Sequence, residues 1–205
     1  MKVGVIAVQG AVSEHIDLLK RAMKEKRIDG NVYPVRTAKD LNDISGIVIP
    51  GGESTTISRL MLTTGMHERI IELANKGLPI LGTCAGTILL AKEGDEQVKQ
   101  TNTKLLGLME ISVARNAYGR QADSFEVDVK IPEIGNKPFK AVFIRAPTIQ
   151  KVWGDTKAWI RHQSTIVGAK KGNILALTFH PELSDDLRVH EHFLKMISES
   201  ENDCT

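Results

Sequence analysis

The chain has 205 residues, of which 41% are apolar and 25% charged, and this is the composition of an ordinary globular protein. Its length favours one domain spanning residues 1–205, with a core large enough to need no disulfides. The 27 Lys and Arg residues against 25 Asp and Glu leave a net charge of +2. A net charge this close to zero gives no reason to expect a broad basic surface. Neither nucleic acid nor an anionic membrane is therefore predicted as a partner.

The two cysteines, Cys84 and Cys204, form no Cys-x-x-Cys pair, which argues against a disulfide framework or a thiolate zinc site. A reducing compartment fits this usage best. The apolar run at residues 3–8 is too short for a signal peptide, and no other segment approaches the ~20 apolar residues that span a membrane. We therefore expect a cytoplasmic protein that does not enter a membrane.

Four short apolar runs are typical of strands buried on both faces; they lie at residues 2–8, 46–50, 79–83 and 174–179. Apolar residues at helical spacing separate the first three runs, at Val12, Ile16, Leu19, Met23, then Ile57, Leu60, Met61, then Ile70, Leu73 and Ala74. Strands that alternate with helices predict a parallel sheet with right-handed crossovers. Thr37 and Asp40 have the spacing of a capping box, which predicts a short helix before the second run.

After about Gly107 the apolar residues recur at every second position. They are Met109, Ile111, Val113, then Phe125, Val127, Val129 and Ile131. Such alternation predicts antiparallel strands with one face in water, and with residues 139–145 they should form an antiparallel insertion. A final amphipathic helix is expected to begin near Asp185 or Asp186, and a polar tail from Glu199 is expected to fray.

The segment after the third buried run has the pattern of a nucleophile elbow, Gly82-Thr83-Cys84-Ala85-Gly86. In open α/β sheets ligands bind at the carboxyl ends of the strands, and flanking glycines allow a tight strand-to-helix turn there. The N-terminus of the following helix favours a thiolate at Cys84. The alternative is a small cysteine packed under a helix.

His180 is the histidine that directly follows a buried run, and Glu182 lies two residues further on, where its carboxylate can orient the ring. The other histidines are expected on the solvated surface; they are His15, His67, His162, His190 and His192. A zinc site built from His180, Glu182, His190 and His192 is a weaker alternative, because the last two would require the chain to fold back.

The segment Gly51-Gly52-Glu53-Ser54 has two interpretations. Ser54 or Thr55 could cap the next helix in an ordinary turn. Alternatively, adjacent glycines could present a backbone N–H that forms an oxyanion hole with the N–H of Ala85. The chain has no Gly-Lys-Ser/Thr or Gly-x-Gly-x-x-Gly motif, which removes the main support for ATP or dinucleotide binding.

The order of a cysteine elbow followed by His-x-Glu resembles the class I glutamine amidotransferases. Further stretches resemble one branch of them, the glutaminase subunits of pyridoxal 5'-phosphate synthase. These stretches are Val8-Gln9-Gly10-Ala11 with Glu14-His15, Pro50-Gly51-Gly52-Glu53-Ser54-Thr55-Thr56, Gly82-Thr83-Cys84-Ala85-Gly86, Arg115-Asn116-Ala117-Tyr118-Gly119-Arg120-Gln121 with Asp123-Ser124-Phe125-Glu126, Phe143-Ile144-Arg145-Ala146-Pro147 and Phe179-His180-Pro181-Glu182-Leu183. Together the motifs run from residue 8 to residue 183.

The resemblance implies a three-layer α/β sandwich of the flavodoxin-like type, with a mainly parallel central sheet and an antiparallel β insertion. It implies that L-glutamine is hydrolysed to glutamate and ammonia, that the ammonia passes to a separate barrel-fold synthase subunit, and that no cofactor or metal is needed. Cys84 would be the nucleophile, His180 the general base and acid, and Glu182 its orienting partner. The remaining implied roles are glutamine binding by Gly52, Glu53, Ser54, Arg115, Ile144 and Arg145, and an oxyanion hole from the backbone of Gly52 and Ala85.

Two other classes of function stay open on the sequence. A different thiol hydrolase, such as a peptidase or a glutaminase that serves another synthase, would share the three residues and the fold. A catalytically silent α/β module would keep only the sheet, and the presence of Cys84, His180 and Glu182 together speaks against it.

Overall fold

The computed structural model describes residues 1–115 and 124–203. Its helices are α1 (Val12–Lys26), α2 (Ser54–Thr63), α3 (Met66–Asn75), α4 (Ala85–Leu90), α5 (Glu96–Gln100) and α6 (Arg188–Asp203). Its strands are β1 (Lys2–Ile6), β2 (Asn31–Val35), β3 (Gly46–Ile49), β4 (Ile80–Thr83), β5 (Ala91–Gly94), β6 (Met109–Ala114), β7 (Ser124–Val129), β8 (Phe139–Ile144), β9 (Thr148–Val152), β10 (Lys157–His162), β11 (Thr165–Lys171) and β12 (Ile174–Leu177).

A large mixed sheet forms the centre of the molecule, in the strand order β2-β1-β3-β4-β12-β11-β9-β6-β5, with β10 paired to β11. The strands from β2 to β12 in this order are parallel to one another. The four predicted buried runs are β1, β3, β4 and β12, and nearly every residue of these strands is buried. The prediction of a parallel sheet built from strands alternating with helices is confirmed.

The central sheet is covered by helices on both faces. Along β3, Val48 belongs to the core on the side of α1 and α6, whereas Ile47 and Ile49 belong to the core on the side of α2, α3 and α4. Strands with apolar residues on both faces need a cover on each side, because an exposed face would leave their side chains in water. The predicted three-layer α/β fold is confirmed.

The expectation that β6 is wet on one face is wrong. Strand β6 lies inside the main sheet between β5 and β9. Five of its six residues are buried, Glu110 among them, because Lys92, Lys171 and Thr156 cover the Glu110 carboxylate. The alternation at β7 does mark a strand that is exposed on one face, and β7 pairs with β8 in a separate antiparallel sheet. The apolar residues Val129, Phe139 and Phe143 of this pair pack into the core beside α1 and α6.

Two helical predictions have different outcomes. The capping box at Thr37 is present, since Asp40 Oδ2 accepts a hydrogen bond from the Thr37 N–H at 2.9 Å, although the helix that follows is one 3₁₀ turn, Ala38–Leu41. The prediction that the chain frays from Glu199 onwards is wrong as far as Asp203, because α6 continues to that residue. Among the described residues, no helix is both long enough and apolar enough to cross a membrane.

Candidate active site

Cys84 occupies the turn between β4 and α4, with the left-handed backbone angle φ +47° that a nucleophile elbow requires. The flanking glycines are needed for space. A Cβ on Gly86 would lie 2.1 Å from the carbonyl oxygen of Ile49, and one on Gly82 would lie 2.5 Å from the Leu90 side chain. The two glycines therefore let α4 start directly against the sheet, as the elbow pattern predicts.

The elbow places Cys84 next to the end of β12. Its backbone N–H donates to the carbonyl oxygen of Leu177 at 2.8 Å, which joins the ends of β4 and β12. The Cys84 side chain is 7% exposed and forms part of a cavity wall, with its Sγ donating to the Ile144 carbonyl oxygen at 3.9 Å. Cys84 thus faces a cavity, which the alternative of a cysteine packed beneath a helix does not predict.

His180 and Glu182 follow β12. The backbone N–H of His180 donates to the carbonyl oxygen of Val142, in β8, at 2.7 Å. This hydrogen bond fixes the start of the segment that carries His180 and Glu182. The 3₁₀ turn Pro181–Leu183 then folds Glu182 back, so that Nδ1 of His180 lies 2.7 Å from Oε1 of Glu182. The His180 ring and the Cys84 side chain lie side by side against Gly51, where a Cβ would come within 2.4 Å of Cε1 of His180 and 3.3 Å of Cβ of Cys84. The three predicted catalytic side chains are therefore contiguous in the folded chain.

The electrostatics of this group favour a charged imidazolium. Burial acts to lower the pKa of His180, but its hydrogen bonds with Cys84 and Glu182 outweigh burial and raise that pKa to about 10. Burial acts to raise the pKa of Glu182, and the nearby His15 and the hydrogen bond with His180 bring it below its ordinary value. Glu182 therefore stays ionised and can stabilise the imidazolium that a thiolate at Cys84 also favours.

Gly51 is a residue whose role the sequence did not reveal. A Cβ there would lie 2.4 Å from Cε1 of His180 and 3.3 Å from Cβ of Cys84, so only glycine leaves room for the pair. Its N–H donates to Oγ1 of the buried Thr83 at 3.0 Å. In the sequence, the adjacent glycines Gly51 and Gly52 were the available signal of close packing at this position. They did not identify His180 as the neighbour, because its approach depends on how β3 and β12 are placed in the sheet.

The cavity beside Cys84 has a volume of about 310 Å³, which is within the range of small-molecule sites. Its lining residues are Gly52, Glu53, Ser54, Cys84, Ala85, Ile88, Arg115, Arg145 and Pro147. Among the predicted substrate-binding residues, only Ile144 does not line it, and the carbonyl of Ile144 contacts Cys84 instead. Ile88 and Pro147 were not predicted, although Pro147 ends one of the motif stretches.

The N-terminus of α2 forms one wall of this cavity, and its cap is Glu53 rather than the expected Ser54 or Thr55. The Glu53 carboxylate accepts hydrogen bonds from the N–H groups of Thr55, at 3.2 Å, and Thr56, at 2.7 Å, and from the Thr55 hydroxyl. It also lies 3.2 Å from Nη2 of Arg115. The hydroxyl of Ser54 is buried and has no hydrogen-bond partner among the described residues, so it is available to a ligand.

The expectation that the remaining histidines lie on the solvated surface is wrong for His15, His67 and His190, which are buried. The helices that carry them were correctly predicted, but each histidine lies on the inner face of its helix. Among residues 1–115 and 124–203, no group of three or more His, Cys, Asp and Glu side chains is arranged to hold a metal ion. The motif residues 116–121 and Cys204 lie outside the described residues.

Comparison with known proteins gives a consistent answer. Residues 5–199 match the model of the SNO glutamine amidotransferase family. A protein of Methanosarcina mazei named pyridoxal 5'-phosphate synthase subunit PdxT is 53% identical over 197 residues, covering 96% of this chain and 98% of that protein. The protein of the same name from Archaeoglobus fulgidus is 50% identical over 196 residues, covering 96% and 98%.

Solved structures agree with the sequence relatives. A crystal structure described as a glutamine amidotransferase superposes with a TM-score of 0.85 at 38% identity, covering 96% of this chain and 98% of that one. The PurLQS structure from Thermotoga maritima, at 17% identity and a TM-score of 0.61, covers 100% of this chain and 99% of that one and shows the shared fold alone. The chain therefore belongs to the SNO glutamine amidotransferase family.

Proposed function

We propose that this protein is the glutaminase subunit of a pyridoxal 5'-phosphate synthase, and that it hydrolyses L-glutamine to L-glutamate and ammonia. The observation that carries the proposal is the contiguous set Cys84, His180 and Glu182 beside a cavity that contains both carboxylate and guanidinium groups. The names of the relatives from Methanosarcina mazei and Archaeoglobus fulgidus support the assignment to this synthase.

The cavity has the polar groups that a zwitterionic amino acid needs. Arg115 and Arg145 can attract the α-carboxylate, and the ionised Glu53 can accept a hydrogen bond from the α-ammonium. Its hydrogen bonds with Thr55 and Thr56 outweigh the effect of burial and hold the pKa of Glu53 at about 2, so that it is charged at neutral pH. The unpartnered hydroxyl of Ser54 is a further group for the substrate.

In the first half of the reaction, the Cys84 thiolate attacks the side-chain amide carbon of glutamine. The C–N bond then breaks as the His180 imidazolium gives its proton to the departing nitrogen, which leaves as ammonia, and a thioester remains on Cys84. The oxyanion of the tetrahedral intermediate that precedes the thioester would accept hydrogen bonds from the backbone N–H groups of Gly52 and Ala85.

In the second half, neutral His180 removes a proton from water, and the resulting hydroxide attacks the thioester carbon. The C–S bond breaks, glutamate leaves, and the thiolate and imidazolium are restored. Glu182 holds the ring through Nδ1 and stabilises its charge in both halves without taking the proton.

The ammonia would be used by a barrel-fold synthase subunit that docks on this protein. Free ammonia released into water is protonated and loses its nucleophilicity, so a direct transfer between subunits preserves the product. The partner would cover the cavity side of the molecule, where the side chains of Ile144 and Leu183 are exposed near Cys84 and Glu182.

The test is glutamine hydrolysis by Cys84→Ala in the presence of the synthase subunit. The change removes the nucleophile and little packing, so activity should fall by about 10⁴-fold or more while the thermal unfolding midpoint stays close to that of the parent. Cys204→Ser is the matched control, because it removes the chain's other cysteine and should leave activity unchanged. Glutaminase activity in Cys84→Ala, or hydrolysis of peptides in place of glutamine by the parent, would contradict the proposal.

A further inference from the structure

Two buried histidines lie behind Glu182, on the side away from Cys84. Nε2 of His15, on α1, is 3.3 Å from Oε2 of Glu182 and 3.1 Å from Oγ1 of Thr83. Nδ1 of His15 is 3.0 Å from Nε2 of His190, on α6. Both histidines are fully buried. The four side chains His190, His15, Glu182 and His180 therefore form a continuous row that ends at Cys84.

The row can be protonated in two ways, and the positions of the neighbours favour one of them. If His15 carried its proton on Nδ1, the lone pair of its Nε2 would face the Glu182 carboxylate, and His190 would bury an Nδ1–H that has no acceptor. If His15 carries its proton on Nε2, that N–H lies between Oγ1 of Thr83, at 3.1 Å, and Oε2 of Glu182, at 3.3 Å, and the Nε2–H of His190 donates to Nδ1 of His15. Only an acceptor, Nδ1 of His190, is then left without a partner.

The second arrangement meets a need of the carboxylate. Glu182 has no exposed side-chain surface, and its Oε1 is taken by His180. Its Oε2 has no hydrogen-bond partner among the described residues, and Nε2 of His15 lies 3.3 Å from it. A buried carboxylate oxygen without a donor is costly and favours the protonated acid. An N–H from His15 keeps the carboxylate ionised and in the orientation that His180 requires.

We propose that His15, held by His190, is a positioning residue for the reaction: its Nε2–H fixes the outer oxygen of Glu182 and thereby sets the charge and orientation of His180. This inference rests on the proposed glutaminase function. His15 does not line the substrate cavity, so it acts on the reaction through the side chains that it contacts, Glu182 and Thr83.

Burial and the titratable groups around His15 together favour a neutral ring. Burial acts to lower its pKa, Glu182 and Glu14 act to raise it, and the charged His180 acts to lower it further, with the pKa of His15 below its ordinary value as the result. Burial and the neighbouring His15 lower the pKa of His190 to about 3, so this ring is neutral as well.

The first experiment compares His15→Leu with His15→Gln in glutamine hydrolysis with the synthase subunit present. Leucine removes the donor, so kcat should fall about 10- to 100-fold with KM little changed, as for other residues that orient a reacting group from behind. Glutamine can place an amide N–H near the position of Nε2 and should restore most of the loss. The control is His67→Leu on α3, which removes a buried histidine whose ring nitrogens contact the Leu105 carbonyl and Glu68. The kcat of this variant should match that of the parent.

The pH profile separates positioning from a general loss of stability. Without the His15 donor the pKa of Glu182 rises, and once Glu182 is protonated His180 loses the carboxylate that stabilises its charge. The acid limb of kcat/KM should therefore move to higher pH by about one unit in His15→Leu, and not in His15→Gln or His67→Leu. An unchanged acid limb in His15→Leu, or an equal loss in the leucine and glutamine variants, would overturn the proposal.

A measurement on the parent protein does not depend on whether the variants fold. Nitrogen-15 NMR of the imidazole rings between pH 6 and 8 should show a proton on Nε2 of both His15 and His190 and none on either Nδ1. A proton on Nδ1 of His15 would refute the inference outright.

The two proposals fail in different ways. An inactive Cys84→Ala variant together with a fully active His15→Leu variant would overturn the positioning role alone. An active Cys84→Ala variant would overturn the glutaminase proposal itself.

Discussion

At the residue scale, the chemistry depends on side chains that alter one another. Cys84 and Glu182 both contribute to the raised pKa of His180, and His180 in turn contributes to the lowered pKa of Glu182. A thiolate and an imidazolium in this arrangement would each stabilise the charge of the other in a buried site. Removing one member therefore removes the basis on which the other acts.

This coupling predicts that losses at Cys84 and His180 are not additive. His180→Asn should be nearly as inactive as Cys84→Ala, and the double variant should be no more than a few-fold worse than either single one. Glu182→Gln should lose less, because in the proposed mechanism Glu182 orients and stabilises the ring and does not transfer the proton. The measurement is kcat for glutamine in the four proteins, and a double variant that lost the product of the two single factors would show that the residues act independently.

At the element scale, the outer part of the sheet is held by charges that the alternating pattern of β6 did not reveal. Glu110 of β6 accepts hydrogen bonds from Lys92 of β5 at 2.6 Å, from Lys171 of β11 at 2.8 Å and from the Thr156 hydroxyl at 2.8 Å. Its side chain is 11% exposed. A polar residue at an inward position of a strand thus joins three strands, because its long side chain is surrounded by donors.

We expect Glu110→Gln to destabilise the fold in a pH-dependent way. Burial acts to raise the pKa of Glu110, but the hydrogen bonds from Lys171, Lys92 and Thr156 outweigh it and lower that pKa to about 2. Because this pKa is below the unfolded value near 4.5, the stabilisation is complete above pH 4.5 and is lost as the pH falls towards 2. At pH 7 the free energy of unfolding should fall by roughly 1–2 kcal/mol, since two lysines lose their shared anion.

Urea unfolding at several pH values measures this effect. The control is Glu126→Gln on β7, which breaks an ion pair with Lys140 whose side chains are 56% and 62% exposed and should therefore change stability little. A Glu110→Gln protein whose destabilisation did not shrink between pH 4.5 and pH 2 would contradict the role of the ionised carboxylate.

At the scale of the whole molecule, segments after several strands converge at one edge of the sheet. Gln9 and Gly10 follow β1, Gly51 and Gly52 follow β3, and Cys84 follows β4. The Gly51 carbonyl accepts a hydrogen bond from the Ala11 N–H at 3.1 Å, and Gln9 Oε1 accepts one from the Glu53 N–H at 2.7 Å. The loop after β1 therefore contacts the peptide that would supply the Gly52 oxyanion donor.

This contact predicts that the synthase subunit controls the rate. A partner that docks on the loop at Gln9 and Gly10 can shift the Gly51–Gly52 peptide, and glycine permits such a rotation at little steric cost. One misplaced oxyanion donor costs roughly 10²–10³ in rate, so the free subunit should retain a low basal activity and kcat should rise at least about tenfold with the partner.

The measurement is steady-state hydrolysis at saturating glutamine, with and without the synthase subunit. Cys84→Ala with the synthase subunit is the control for any contaminating glutaminase. An equal kcat in both conditions would reject this form of control and would leave the roles of Cys84, His180 and Glu182 unaffected.

The sequence alone determined the features that depend on local chemistry. Continuous apolar runs specified β1, β3, β4 and β12, because strands buried on both faces need apolar residues at every position. Gly82 and Gly86 specified the elbow, because only glycine lets a helix start so close to a strand. The spacing of His180 and Glu182 gave their pairing, since a single turn separates them.

The tertiary structure decided what depends on neighbours distant in the chain. One face of β6 was expected to be exposed to water, because an alternating pattern does not show which side chains of other strands cover that face. In the folded sheet Lys92, Lys171 and Thr156 cover Glu110. His15 and His190 were expected at the surface because helical spacing does not say which element packs on the polar face, and the packing of α1 against α6 turned both inward. The close approach of Gly51 to His180 likewise arises only when β3 and β12 flank β4 in the folded sheet.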